Sequence, residues 1–324
     1  MNRYRRASAF APGSIGNVGP GLDVLGAAVT GPGDTVVAEW VDAPGITIRD
    51  AGDPELPTDA TRHSSGLAAA AVLRAATALG AIPVPPALPS TAGIALTVSK
   101  GLPLSAGQGG SAASAVAGAA AVNALLGSPL GASELLAACL AAEEAVAGRH
   151  LDNIAPSLLG GICLVRSLDP IDVTSLPVPP SLRVVLAHPN QRLRTAEARA
   201  VLPREIPRAT VVHQLAQVAA MVAALHAADL PLLGRAIDDR IAEPARATLL
   251  PGFHAAKGAA LEAGALGASI SGAGPTAFAL CDGDTVAARV AIAMRDAYAA
   301  AGVEAVVRTA HIDTIGTRIE RVAV

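Results

Sequence analysis

Residues Pro103 to Ser114, PLSAGQGGSAAS, carry the most chemically informative pattern in this chain. Pro103, Leu104, Ser105 and Ala106 lead from a short apolar run into Gly107, Gln108, Gly109 and Gly110. Ser111, Ala112 and Ala113 then open an alanine-rich stretch of helical character. Glycines at 107, 109 and 110 allow positive φ and put no Cβ between the backbone and an incoming anion. A helix starting at Ser111 offers several unpaired N–H groups and roughly half a positive charge, so the segment reads as a phosphate cradle. Glycines in such a turn also serve simply to break the chain between two elements, and the loop alone does not separate the two readings.

Two better-known phosphate loops do not fit. The P-loop requires Gly-x-x-x-x-Gly-Lys-[Ser/Thr], and neither of the chain's lysines, Lys100 and Lys257, follows a glycine. No lysine is expected beside the loop. The dinucleotide fingerprint is met formally by Gly107, Gly109 and Ala112, but it needs a strand running straight into the first glycine. Here Ser99 to Ala106 intervene, and the acidic residue near the ribose-binding distance, Glu134, opens another helical pattern.

The loop resembles the ATP-binding motif of the GHMP kinases, Pro-x-x-x-Gly-Leu-Gly-Ser-Ser-Ala-Ala, with Gln108 in place of leucine and Gly110 in place of the first serine. Residues 11–26, APGSIGNVGPGLDVLG, resemble the N-terminal motif of the homoserine kinases, A-P-A-S-S-A-N-L-G-P-G-F-D-V-L-G, and keep its polar pair Asn17 and Asp23. Pro20-Gly21 forces a turn that can bring these two to one point, where a carboxylate suits an ammonium group. Asn and Asp beside Gly and Pro also make ordinary Asx turns and helix caps. Residues 143–161, EEAVAGRHLDNIAPSLLGG, are similar to that family's acidic helix end followed by G-x-x-H-x-D-N-V-A-P-x-L-L-G-G, with one residue missing between Gly148 and His150. Glu143 and Glu144 therefore compete for the family's metal-ligand position, and counting back from Gly148 favours Glu143. Residues 264–281, GALGASISGAGPTAFALC, resemble the block G-A-x-G-x-x-I-S-G-S-G-P-T, in which Gly272 leaves room for a ligand or for the first loop. Thr195 and Arg199 in RTAEARAVLP, and Arg246 in IAEPARATLLPGF, follow the family as well.

The resemblance runs in order from residue 11 to beyond 281 and implies phosphorylation of L-homoserine by ATP, giving O-phospho-L-homoserine, a step toward threonine. It implies an α+β, two-domain GHMP kinase fold, with an N-terminal domain like ribosomal protein S5 domain 2 over 1–168 and a ferredoxin-like C-terminal domain over 169–324. The active site is expected between them, where ligand pockets often form. On this resemblance Pro103 to Ala113 bind ATP, with Gly107 to Ser111 on its phosphates, and Ser111 and Glu143 hold Mg²⁺. Asn17 and Asp23 meet the amino end of the substrate, and Arg199 and Arg246 take its carboxylate beside Thr195 and Gly272. Asn153 orients the hydroxyl. An amide is no general base, so either Asp152 or the phosphate itself takes the hydroxyl proton. His150 receives no catalytic role. Arg62, His63, Ser64 and Ser65 stand where the family places an asparagine near the base of ATP, so nucleotide preference is less defined than phosphate binding. The alternatives are a GHMP kinase for another small alcohol such as threonine or shikimate, a non-catalytic ligand sensor suggested by Gln108 and Gly110, and, third, a nicotinamide dehydrogenase.

Composition agrees with a cytoplasmic enzyme. The chain has 324 residues, 52% of them hydrophobic, enough for two domains or one large one with a substantial core. Its formal net charge of −3 offers no basic field to nucleic acid or an acidic membrane. Cys139, Cys163 and Cys281 are odd in number and at spacings that suit no zinc site, so reduced core cysteines are expected. Aromatics make up only 2%, which assigns a nucleotide base to aliphatic walls. MNRYRRASAF runs into Pro and Gly instead of an apolar stretch, so no secretory signal is expected. Arg74 and Asn123 break the alanine runs short of the ~18 residues of a membrane span. A homodimer is left open.

The elements that must position these residues are mixed α and β. Strand-like runs lie at 35–40, 46–48, 94–98, 162–165, 184–187, 268–271, 276–281 and 304–308. Helical patterns occupy 66–79, 111–126, 134–146, 210–228, 253–262 and 286–301, the last with Thr285 as N-cap and Gly302 as its stop. Asp169-Pro170 and the cluster Pro177, Pro179 and Pro180 mark the domain boundary.

Overall fold

Small residues alternating with larger ones start the first sheet. In the computed structural model, which describes residues 4–80 and 92–323, β1 (Tyr4–Gly16) buries Ala7, Ala9 and Ala11 while Ser8 and Phe10 lie on its other side. Residues 1–3 of the N-terminal segment lie outside that description. β1 pairs with β2 (Leu25–Val41), which continues through β4 (Gly93–Ser99) to β3 (Gly45–Asp50). Against this sheet pack α1 (Ser64–Ala78), α2 (Gly110–Leu125) and α3 (Ala132–Val146). Every residue of α2 from Ala112 to Leu125 is buried, so this helix shows no polar stripe, as expected of one enclosed on all sides.

α4 (Ile154–Leu159) leads into the hairpin β5 (Ile162–Leu168) and β6 (Ile171–Leu176), and β5 pairs with β2. The second sheet, in the order β10-β7-β9-β8, comprises β7 (Leu182–Pro189), β8 (Gly267–Ile270), β9 (Ala277–Asp282) and β10 (Ala305–His311). Alternate residues of β7 face two cores. Val185 and Ala187 join α9 (Phe253–Glu262) and α10 (Asp284–Ala300), while Val184 and Leu186 join Ile15, Leu25 and Val29 of the first sheet. The second of these cores also takes Met221 and Leu225 of α6 (Arg208–Ala227) and Leu233 of α7 (Leu230–Arg235). Two short helices, α5 (Thr195–Ala200) and α8 (Ala242–Ala247), border the cleft. α6 is the one described helix long and apolar enough, by length and composition, to cross a membrane, and it seats Gln214, Met221, Ala224 and Leu225 on the protein.

Several sequence expectations shift. The division at 168/169 falls at the turn of the β5–β6 hairpin, both strands of which belong to the first sheet. The chain changes sheets between β6 and β7, at the cluster Pro177 to Pro180. Its last strand, β11 (Arg318–Ala323), returns to pair with β1. α2 begins at Gly110, one residue before Ser111, because Gly109 takes the cap position at φ 70°. Likewise α10 begins at Asp284 with Gly283 as its cap, not Thr285, which puts an acidic side chain in the first turn where the helix dipole favours it.

Candidate active site

A cleft of about 610 Å³ opens between the Gly-rich loop, α5, α8 and the segment 272–274. The carbonyls of residues 105–108 turn to protein partners. Ser105 O accepts from Leu193 N at 3.3 Å, Ala106 O from Thr276 N at 3.2 Å and Gln108 O from Ser14 N at 3.1 Å. Gly107 O accepts from the Ser271 hydroxyl at 2.6 Å. A Cβ at Gly107 would stand 2.5 Å from Gly274 O and 2.6 Å from Ser271 O, so only glycine permits this approach between the two sheets' loops. With the carbonyls so engaged, the N–H groups of Gly110, Ser111 and Ala112 are left as the unpaired donors of a helix start.

One expectation is overturned here. Lys100 Nζ lies beside the loop, donating to Gly110 O at 3.1 Å and to Ser114 Oγ at 3.0 Å, and forming an ion pair with Asp34. Lys100 precedes the loop by a short run of turns that folds back, which the absence of a Gly-Lys pair in the sequence could not reveal. Its three N–H donors are all taken by protein, so it orders the start of α2 and has none left for a phosphate. Asp34 is fully buried and also accepts from Gly101 N at 3.1 Å and from Ser114 Oγ at 2.6 Å.

Ser111 Oγ donates to Glu143 Oε2 at 3.0 Å, and Ser64 Oγ stands 3.0 Å from Ser111 Oγ. Glu144 is exposed and lies near Arg149, so Glu143 is the carboxylate that faces the loop. Burial, outweighing the pull of His150 and Ser111, pushes the Glu143 carboxyl above its ordinary value. His150 Nδ1 is 3.5 Å from Asp152 Oδ1, and both that oxygen and His150 Nε2 are buried without a hydrogen-bond partner. Burial pulls this imidazole down, but the Asp152 and Glu143 carboxylates together hold it above the usual histidine value. Among the described residues no three His, Cys, Asp or Glu side chains form a metal cage.

Across the cleft, Asp23 and Arg199 meet in a two-bond fork, with Nη2 to Oδ1 at 2.7 Å and Nη1 to Oδ2 at 3.3 Å. Asn17 braces this turn. Its Oδ1 accepts from Asp23 N at 3.1 Å, its Nδ2 donates to Gly272 O at 3.1 Å, and its own N–H donates to Asp152 Oδ2. Arg246 is buried and donates to Gly272 O at 2.8 Å and Ala198 O at 3.1 Å; burial first, and the Arg199 charge next, draw it below its ordinary value. Thr195 opens α5 at the cleft, and Asn153 Oδ1 accepts from Ser14 Oγ at 2.9 Å. Of the residues singled out from sequence for the site, all line the cleft except Ser65, Gln108 and Ala113. Gln108 sends its side chain to the second sheet, and Ala113 faces the core of the first. Asp34 carries no motif of its own and was missed from sequence, while Ser14 and Ser64 lie in segments the motifs point to but had no role assigned to them.

The chain matches the model of the GHMP kinases N terminal domain over residues 67–161 and that of the GHMP kinases C terminal over 221–300. It is 38% identical over 301 residues to the homoserine kinase of Chloroherpeton thalassium, covering 91% of this chain and 92% of that one. The chain belongs to the homoserine kinase family. Within that family it is also 41% identical over 319 residues to the homoserine kinase of Arabidopsis thaliana, covering 96% of this chain and 83% of that one. The crystal structure of homoserine kinase from Cytophaga hutchinsonii superposes with a TM-score of 0.90 at 39% identity, over 98% of each chain. The two-domain GHMP kinase fold expected from the motifs is therefore the fold of this protein.

Proposed function

We propose that the protein transfers the γ-phosphoryl group of ATP to the side-chain hydroxyl of L-homoserine, giving ADP and O-phospho-L-homoserine on the route to threonine. The observation that carries this reading is the Asp23–Arg199 fork, which faces the N-terminus of α2 across the same cleft. A zwitterionic amino acid can replace each half of such a pair, presenting its ammonium to Asp23 and its carboxylate to Arg199, with Arg246 behind. An alcohol lacking either charge satisfies only one half. Charge-assisted bonds of this kind contribute roughly 1.5–3 kcal/mol each.

Phosphoryl transfer asks the protein mainly for positioning and charge stabilisation. In this reading the N–H groups opening α2 hold the phosphates, and Asn153, fixed by Ser14, orients the hydroxyl. The orphaned Oδ1 of Asp152 favours that carboxylate over the phosphate as acceptor of the hydroxyl proton. A lone buried carboxylate touching a hydroxyl fits Mg²⁺, which keeps several waters and shares its shell with phosphate oxygens. Glu143 and Ser111 would hold it, and when bound it would neutralise charge on the β- and γ-phosphates. The three unpaired, buried cysteines fit a reducing compartment, the cytoplasm.

The test is a panel of L-homoserine, L-threonine and shikimate with ATP and Mg²⁺, read by coupled ADP release and by phosphorus NMR of the product. Homoserine should give the highest kcat/KM. Equal or faster turnover of another alcohol rejects the substrate assignment, and homoserine binding without ADP release favours a sensor.

A further inference from the structure

Gln108 replaces an apolar residue in the loop motif, and its side chain leads away from the cleft into a polar chain that the reaction scheme does not use. Gln108 is 6% exposed. Its Oε1 accepts from Arg308 Nη2 and its Nε2 donates to Thr276 Oγ1, each at 3.4 Å. Thr276 is fully buried, and its hydroxyl lies 3.1 Å from His188 Nδ1. The guanidinium donates to the amide oxygen and the amide nitrogen to the hydroxyl, which leaves the hydroxyl proton free to go to Nδ1 of a neutral imidazole. Burial holds His188 below its ordinary value, which suits that neutral form. Thr276 Oγ1 serves as both acceptor and donor, and the path joins the loop to β7, to β10 and to the residue just ahead of β9.

Arg308 reaches from β10 back to β2, donating through Nη1 to Thr30 O at 2.8 Å. Among the described residues no carboxylate pairs with it. Lys100, the other cation at the loop, is neutralised by Asp34. The uncompensated positive charge behind the loop is therefore that of Arg308, one side chain removed from the glycines.

We infer that Gln108 and Arg308 form a charged brace from the second sheet to the back of the phosphate loop, positioning it for the triphosphate of the nucleotide. Neither is a catalytic residue, because neither touches the cleft. The inference rests on the kinase reading above in taking the loop as the triphosphate site. A leucine at 108 would fill similar volume but leave the Arg308 and Thr276 groups without their partner, so on the second sheet's side the loop would keep only its main-chain ties to Leu193, Thr276 and Ser271 while the amino-acid site across the cleft stayed intact.

Gln108→Leu, Arg308→Met and the double variant test this, by steady-state kinetics and by calorimetric titration with ADP. Each single change should raise KM for ATP and Kd for ADP about 3–10-fold, the effect of losing the Gln108–Arg308 bond that both changes remove. KM for homoserine and kcat should stay within about twofold, since those groups are untouched. The double variant should be no worse than the poorer single one, because the two side chains act as one unit. Arg308→Met should also flatten the salt dependence of KM for ATP. Should Gln108→Leu fail to fold, Arg308→Met carries the same measurements. Unchanged ATP and ADP constants in both singles, additive effects in the double, or a parallel rise in the homoserine KM overturn the brace. A wild-type protein that releases no ADP from ATP and homoserine overturns the kinase reading instead.

Discussion

Replacing Lys100 by methionine tests how the start of α2 is held. The Lys100 side chain is 7% exposed and that of Asp34 0%, so the change strands a carboxylate in the core. Breaking a buried pair from one side costs about 3–5 kcal/mol. Three donors remain on Asp34, the N–H groups of Gly101 and Leu102 and the Ser114 hydroxyl, which places the expected loss near the low end of that range. About 3 kcal/mol corresponds to a fall in Tm on the order of 4–5 °C for a chain of 324 residues. The Gly110 carbonyl loses its side-chain partner at the same time. The first turn of α2 should then wander enough to raise KM for ATP roughly tenfold or more, given how steeply rate depends on position. Asp34→Asn in the Lys100→Met background should recover much of the Tm by removing the stranded charge, but less of the ATP affinity. Thermal denaturation and ATP titration of the three proteins measure both quantities. A Tm loss below about 2 °C, or no recovery on adding Asp34→Asn, refutes the view that a buried charge pair anchors this helix.

Asp23→Ala should raise KM for homoserine on the order of 10–100-fold, the loss of one or two charge-assisted bonds, with KM for ATP unchanged; steady-state kinetics against each substrate reads the split. Glu143→Gln should lower kcat at least 100-fold by removing the anionic ligand proposed for the metal, yet leave the ligand-free Tm at pH 8 equal to or above that of wild type. Burial raises the folded value of Glu143 above its unfolded one, so its contribution to stability is present below the unfolded value and is lost as pH rises through the folded one. A lower Tm for Glu143→Gln at pH 8, by scanning fluorimetry, contradicts this. Burial draws His63 below 6.5, against the pull of the Ala51 carbonyl, so its share of stability is present above pH 6.5 and lost as pH falls through the folded value. His63→Asn keeps an acceptor for Ser65 N at the N-cap of α1 and should flatten the decline of Tm between about pH 7 and 5; an unchanged slope assigns the acid sensitivity elsewhere.

What was legible in the sequence is what depends on neighbouring residues. The glycines of 107–110 and the turn at Pro20-Gly21 are local devices, and each announces itself by residue type. Strand β1 was not legible, because its buried face is alanine and alanine carries no strand preference of its own. The fork at the substrate end joins residues 176 positions apart, and the motifs named both residues without showing that they pair. Cues for a domain boundary are local in the same way. A turn at Asp169-Pro170 punctuates the chain equally well inside a hairpin or between domains, and only the pairing of β5 with β2 decides between them.

Lys100 shows the limit most sharply. Only two of the 24 basic residues are lysines, and both sit in sheltered ion pairs, Lys100 with Asp34 and Lys257 with Glu243. A guanidinium is a planar fork suited to one flat partner, whereas an ammonium is compact and directs three donors tetrahedrally. The Lys100 site requires the second shape, because Asp34, Ser114 and the Gly110 carbonyl approach from different directions. Lys100→Arg is therefore not conservative: it should add volume the core cannot take and leave at least one of the three acceptors unmet. In a chain that otherwise uses arginine almost throughout, a lysine just before a glycine-rich loop marks a place where a small buried cation, and not merely a positive charge, sets the geometry of a helix start.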